Sequence, residues 1–77
     1  MRTYTAEQIQ AQRDTAARVA ASLADGVERY AHIGFFRNSP RGRPSDLGLR
    51  FYTTPDLLGQ RLERGVLWET IETVRVS

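Results

Sequence analysis

Apolar residues recur at helical spacing near the start of the chain. Ile9, Ala16, Val19, Ala20 and Leu23 fall on one stripe, with Glu7, Arg13, Asp14 and Arg18 largely off it. Thr5 and Gln8 have the capping-box spacing, in which each side chain satisfies the other's orphaned backbone donor, and Tyr4 and Ile9 flank the box as a hydrophobic staple. Asp25-Gly26 supplies a stop. This pattern predicts a helix over about residues 6–24. Its stripe is narrow and alanine-rich, which suits close packing on a sheet.

After Gly26 the period changes. VERYAHIGFF (27–36) is rich in aromatic and β-branched residues, and in LGLRFYTT (47–54) Leu47, Leu49 and Phe51 alternate with Gly48, Arg50 and Tyr52. Both read as strands, and with no crossover helix between them they pair antiparallel. Residues 37–46 then become a hairpin loop, longer than the usual two to five residues. Thr54-Pro55-Asp56 reads as the opening of a second helix, with Thr as N-cap, Pro at the first helical position and an acid in the first turn. Leu57, Leu58 and Leu62 would form its apolar side and Gly65 its stop. The tail VLWETIETVRVS has strand propensity but broken alternation, because Trp68, Val74 and Val76 share one parity while Leu67 and Ile71 share the other; a bulged third strand fits.

The expected fold is therefore α+β, in the order α-β-β-α-β, a three-stranded antiparallel sheet with helices packed on one face. The expected core is Ile9, Val19, Leu23, Ile33, Phe35, Leu49, Phe51, Leu58, Leu62, Leu67 and Ile71, which leaves Tyr30, Tyr52 and Phe36 on an open sheet face.

Length and composition narrow the function. A chain of 77 residues forms one domain, residues 1–77, burying only about 60–65% of the surface its unfolded form exposes. Cysteine is absent and His32 is the one histidine, so neither a disulfide framework nor a zinc site is expected, and no metal or cofactor is implied. No stretch approaches the ~20 apolar residues of a membrane span, and MRTYTAEQIQ lacks the apolar core of a signal peptide; a soluble cytoplasmic protein is the expectation, with no membrane partner.

Charge changes the picture more. All eleven basic residues are arginine. Four of them, Arg37, Arg41, Arg43 and Arg50, face a single acid, Asp46, within residues 37–50, giving that segment +3 while the remainder is −1. Guanidinium forks bind carboxylate or phosphate with paired hydrogen bonds, so a shaped arginine loop is suited to a macromolecular contact.

Within that loop, residues 40–44 read PRGRP and resemble the core of an AT-hook, a short DNA-binding motif. The resemblance implies an extended Arg-Gly-Arg lying in the narrow minor groove of A·T-rich DNA, with Arg41 and Arg43 inserted and Gly42 against the groove floor. Asp46 follows closely, however, and phosphates repel it.

Catalytic patterns are sparse. No nucleophile elbow, glycine-rich phosphate loop or paired carboxylates occur; Gly34, Gly42 and Gly48 do not lead a strand into a helix. Small ribonuclease toxins can work with arginines, a tyrosine and one histidine, a set that Arg50, Tyr52 and His32 could supply.

The leading expectation is a non-enzymatic binding module that occupies a surface of a larger macromolecule, its protein partner being a component of a larger complex. Arg37, Arg41, Arg43, Arg50, Tyr30 and Tyr52 are the expected contact residues, since exposed arginine and tyrosine dominate interfaces. In size and composition the chain is similar to phage and mobile-element accessory proteins that inhibit host defence, anti-CRISPR proteins among them. Direct DNA or RNA binding through Arg41, Gly42 and Arg43 is the first alternative, and a small ribonuclease the second.

Overall fold

The computed structural model describes residues 3–23, 25–55, 60–63 and 66–76. It is a small α+β domain, with helix α1 (Ala6–Leu23) and strands β1 (Tyr30–Arg37), β2 (Gly48–Tyr52), β3 (Gln60–Glu63) and β4 (Val66–Arg75). The capping box at the start of α1 is formed: the Thr5 amide donates to Gln8 Oε1 at 2.7 Å and the Gln8 amide to Thr5 Oγ1 at 3.1 Å. Beyond the helix, Gly26 takes the left-handed conformation (φ 74°). Asp25 accepts from the Val27 amide and from both outer nitrogens of Arg29. The Arg29 fork, with the Val27 amide second, holds the Asp25 carboxyl well below the usual carboxylate range.

The four strands form one antiparallel sheet in the order β2-β1-β4-β3. The three expected strands are present, and a fourth, β3, stands where the second half of the expected helix would run. Residues 56–59, with Leu57 and Leu58, lie outside the described residues, as does Gly65; Leu62 is in β3 rather than on a helix. The expected helix carries Gly59 mid-length, which costs about 1 kcal/mol against alanine, and it is too short to stand on propensity alone. Pairing β3 antiparallel beside β4 instead continues the sheet, with Glu63 opposite Val66.

The bulge in β4 is where alternation breaks. Its register on β1 passes from Ile33↔Glu72 to Gly34↔Thr70, leaving Ile71 as the extra residue. Ile71 is therefore 44% exposed rather than in the core. Leu23, also expected inside, is exposed on the last turn of α1.

α1 lies on the face carrying Ala31, Ile33 and Phe35. Ala16 is fully buried against that face, Tyr4 stacks on Phe35 with centroids 5.3 Å apart, and Arg13 reaches Glu72 on β4. Ile9, Val19, Leu49, Phe51 and Leu67 are only half-buried. An alanine stripe lets the helix sit close to the sheet but gives it little area to bury.

The other face carries Tyr30, Tyr52 and the exposed Phe36 as expected, but it is closed at its centre. His32 (0% exposed) and Trp68 (2%) lie on it and belong to the core. The segment that leaves β2 contributes a contact there. Thr54, two residues after β2, accepts a hydrogen bond from His32 Nε2 at 3.2 Å on the face away from α1. A carbonyl only accepts, so Nε2 carries the proton, and Nδ1 accepts from Thr73 Oγ1 at 3.2 Å. His32 thus ties the segment that leaves β2 to the sheet.

The Arg13–Glu72 pair ties α1 to β4 with two charge-assisted bonds, and the Arg13 fork holds the Glu72 carboxyl below its ordinary range. A carboxyl depressed in the folded state contributes stability that is present above its unfolded pKa of about 4.3 and is lost as pH falls through the lower folded value. Glu72→Gln is therefore expected to lower the melting temperature slightly at pH 7 and to flatten the loss of melting temperature below about pH 4. Thermal melts followed by circular dichroism from pH 7 to 2 check this; an unchanged acid limb would remove the pair from the account.

Candidate functional site

The loop between β1 and β2 is a built structure. Ser39-Pro40-Arg41-Gly42 forms a β-turn closed by the Gly42 amide donating to the Ser39 carbonyl at 2.9 Å, with Ser, Pro and Gly at the places a type I turn favours. A Cβ on Gly42 would lie 3.1–3.2 Å from Ser39 atoms, tighter than ordinary contact. Ser45 fixes the return leg: its amide donates to the Phe36 carbonyl at 2.8 Å, and its Oγ accepts from the Phe36 amide at 2.9 Å. The Tyr4 hydroxyl bonds the Ser45 carbonyl at 2.6 Å, anchoring the loop to the foot of α1.

The six expected contact residues separate into three places. Arg41 and Arg43 are exposed at the tip, and neither has an ion-pair or hydrogen-bond partner among the described residues. Arg37 turns to the α1 side, where it pairs with Glu69 at 3.1 Å, stacks on Phe35 at 5.2 Å and bonds the Pro40 carbonyl at 3.3 Å. Its charge supports the loop from beneath. Tyr30 stands at the far end of the sheet; its hydroxyl donates to Glu28, and that bond holds the hydroxyl above its usual pKa.

Arg50 and Tyr52 form the third place, joined by Phe36, which the sequence set on the same face, and by Trp68, which sequence reasoning missed. The Arg50 guanidinium lies 5.7–5.8 Å from the ring centroids of Phe36, Tyr52 and Trp68, and its Nε donates to the Tyr52 hydroxyl at 2.8 Å. Such cation–π contacts hold the head group in place while leaving its charge intact. Trp68 meets Phe36 edge-on at 4.9 Å and donates from Nε1 to Thr70 Oγ1 at 2.9 Å. The signal for this cluster was Gly34 and Gly48. They sit opposite each other in the β1–β2 register, and together they make the flat floor that the indole covers.

A shallow groove of about 320 Å³ runs beside this cluster, lined by Phe36, Leu49, Arg50, Phe51 and Tyr52. A second, of about 210 Å³, lies between α1 and the approach to β2, lined by Tyr4, Gln8, Ala11, Gln12, Asp46 and Leu47. Neither groove converges on His32, which is fully buried with both ring nitrogens engaged. No cluster of metal-ligating side chains occurs among the described residues, and no described helix is long and apolar enough to cross a membrane.

No family model matches this chain, and neither a curated protein nor a solved structure matches it.

Proposed function

We propose that this chain is a non-enzymatic binding module that docks its arginine turn on an acidic surface of a larger protein assembly, as a small inhibitor of host defence carried by a phage or mobile element would. The observation that supports this is the turn itself. Arg41 and Arg43 are held out on a loop closed by backbone and serine hydrogen bonds, while the neighbouring Arg37 is engaged inward. A preformed loop loses little entropy on docking, and positive charge presented this way steers association and selects an acidic partner. Minor-groove insertion asks for an extended Arg-Gly-Arg, so it would require the Ser39–Gly42 turn to open.

The Arg41→Ala/Arg43→Ala double variant is expected to melt within a few degrees of the wild type, since neither side chain has an internal partner among the described residues. It should bind the assembly about tenfold or more weakly, mainly through a slower association rate. Capture from the source cells identifies the assembly; surface plasmon resonance against the purified assembly then measures both proteins. Equal affinity and equal salt dependence for the two would defeat the proposal. Binding instead to mixed-sequence duplex or RNA, with a steep salt slope that falls by about one per arginine removed, would transfer the function to nucleic acid.

A further inference from the structure

The exposed edge of the sheet says more about what such a partner offers. Two backbone contacts fix which way the strand amides point. In β1 the Phe36 carbonyl accepts from the Ser45 amide and the Phe36 amide donates to Ser45 Oγ, both on the β2 side, whereas the Arg29 carbonyl accepts from the Val76 amide on the β4 side. In an antiparallel ladder each residue bonds one neighbour with both its groups, and the neighbour alternates along the strand. Even-numbered residues of β1 therefore bond β2, so the pairs Tyr30↔Tyr52, His32↔Arg50 and Gly34↔Gly48 are hydrogen-bonded pairs. The amides and carbonyls of Leu49 and Phe51 consequently point outward from the sheet.

A third contact agrees. The Leu47 carbonyl, of the same parity, faces outward and accepts from the Gln12 side chain at 3.4 Å. Leu49 and Phe51 have no such cover among the described residues. Two donors and two acceptors thus alternate along an open edge, flanked by both grooves described above.

We propose that the outer edge of β2 is a docking strand for an extended segment of another protein in which an acidic residue stands between two apolar ones. This rests on the reading of the chain as a protein-binding module and adds the mode of contact. The backbone pattern selects a peptide: alternating donors and acceptors match another strand, whereas the phosphodiester backbone of DNA has acceptors only. The side chains select the sequence. In an antiparallel addition, residues opposite Leu49 and Phe51 exchange backbone bonds, and the residue between them faces Arg50 at the closely spaced, non-hydrogen-bonded position. A Glu or Asp there meets the guanidinium on the face away from α1. Its two neighbours fall beside the half-buried Leu49 and Phe51 on the α1 side, where apolar side chains fit. A second copy of this chain is a poor occupant, because symmetric pairing of β2 about Arg50 sets two arginines directly opposite one another. Asp46, exposed at the entry to β2, confines the acid to the centre of the segment.

The test uses the whole chain, ¹⁵N-labelled, titrated with the peptide acetyl-Thr-Val-Glu-Val-Thr-amide and followed by NMR and amide exchange. The Leu49 and Phe51 amides should shift and gain protection. The peptide with Lys for Glu, and one N-methylated at both valines, should each bind about tenfold or more weakly. In Arg50→Glu the preference between Glu and Lys peptides should invert; the N-methylated peptide tests the backbone role with the protein unaltered, should that variant not fold. Unmoved Leu49 and Phe51 amides at millimolar peptide would overturn the proposal. So would equal binding of Glu and Lys peptides, the same shifts produced by an oligonucleotide, or shifts that grow with protein concentration alone. If the amides stay unmoved while the assembly still binds and loses affinity in Arg41→Ala/Arg43→Ala, the edge proposal fails and the binding-module reading stands. If the assembly contact is also insensitive to those arginines, both fail.

Discussion

Trp68→Ala is expected to destabilise the domain by about 3–5 kcal/mol, the range for removing a fully buried large aromatic. Trp68 is 2% exposed and lies over a floor that cannot rise to meet its absence, since Gly34 and Gly48 beneath it have no side chains to fill the gap. Three further groups lose their partner at once. Phe36 loses its edge contact, Arg50 one of its aromatic faces, and Thr70 the indole N–H bond. A domain of this length has a total stability of about 4–12 kcal/mol. The variant is therefore expected to be largely unfolded at 37 °C or close to it. Urea denaturation followed by far-ultraviolet circular dichroism measures this, with Trp68→Phe expected to recover part of the loss. A midpoint within the error of the wild type would show that the ring does not organise this face.

Gly34→Ala is expected to cost about 3 kcal/mol or more, through excess rather than absence. A Cβ at Gly34 would stand 2.0 Å from the Glu69 carbonyl oxygen and 2.9 Å from Trp68 Cζ2. The first is backbone of the central strand, at the bulge, and cannot step aside without parting β1 from β4. Gly48→Ala is the control. It faces the same indole from the neighbouring strand, but its Cβ would meet Trp68 only at 4.0 Å, which is ordinary contact. Its effect should stay within about 1 kcal/mol and can be favourable, because glycine in a strand costs conformational entropy. The same urea experiment separates the two, and equal effects would contradict the packing described.

These two glycines also mark the limit of what could be read from the chain. The capping box, the α1 stripe, the first two strands and the bulge were legible because each is written in residues close together in sequence. The arginine loop was legible as a charge concentration, and Pro40 and Gly42 as its turn. The second helix was misread at Leu62, where pairing with β4 outweighs a local helical pattern. The idea of an open sheet face held for Phe36 and failed at the centre, where His32 and Trp68 are buried and His32 bonds the Thr54 carbonyl. Among the expected contact residues, Arg37 has a nearby acid, Glu69, whose proximity depends on register, whereas the acid beside Tyr30 is Glu28, two residues back. Ile71 was misplaced because a bulge recognised in sequence does not say which residue it ejects.

The strand order has one more consequence. The centre of the sheet is the pairing of β1 with β4, elements separated by about half the chain, and β4 is the last of them to be synthesised. Until it leaves the ribosome, β1 has only β2 to pair with, and a two-stranded hairpin is marginal alone in water. Its apolar strands wait for a partner that is made later in the chain, so the central pairing forms late. Exposure of this kind invites association with neighbouring chains. The charge on Arg41, Arg43 and Arg50, carried by that same hairpin, keeps such waiting intermediates apart in solution.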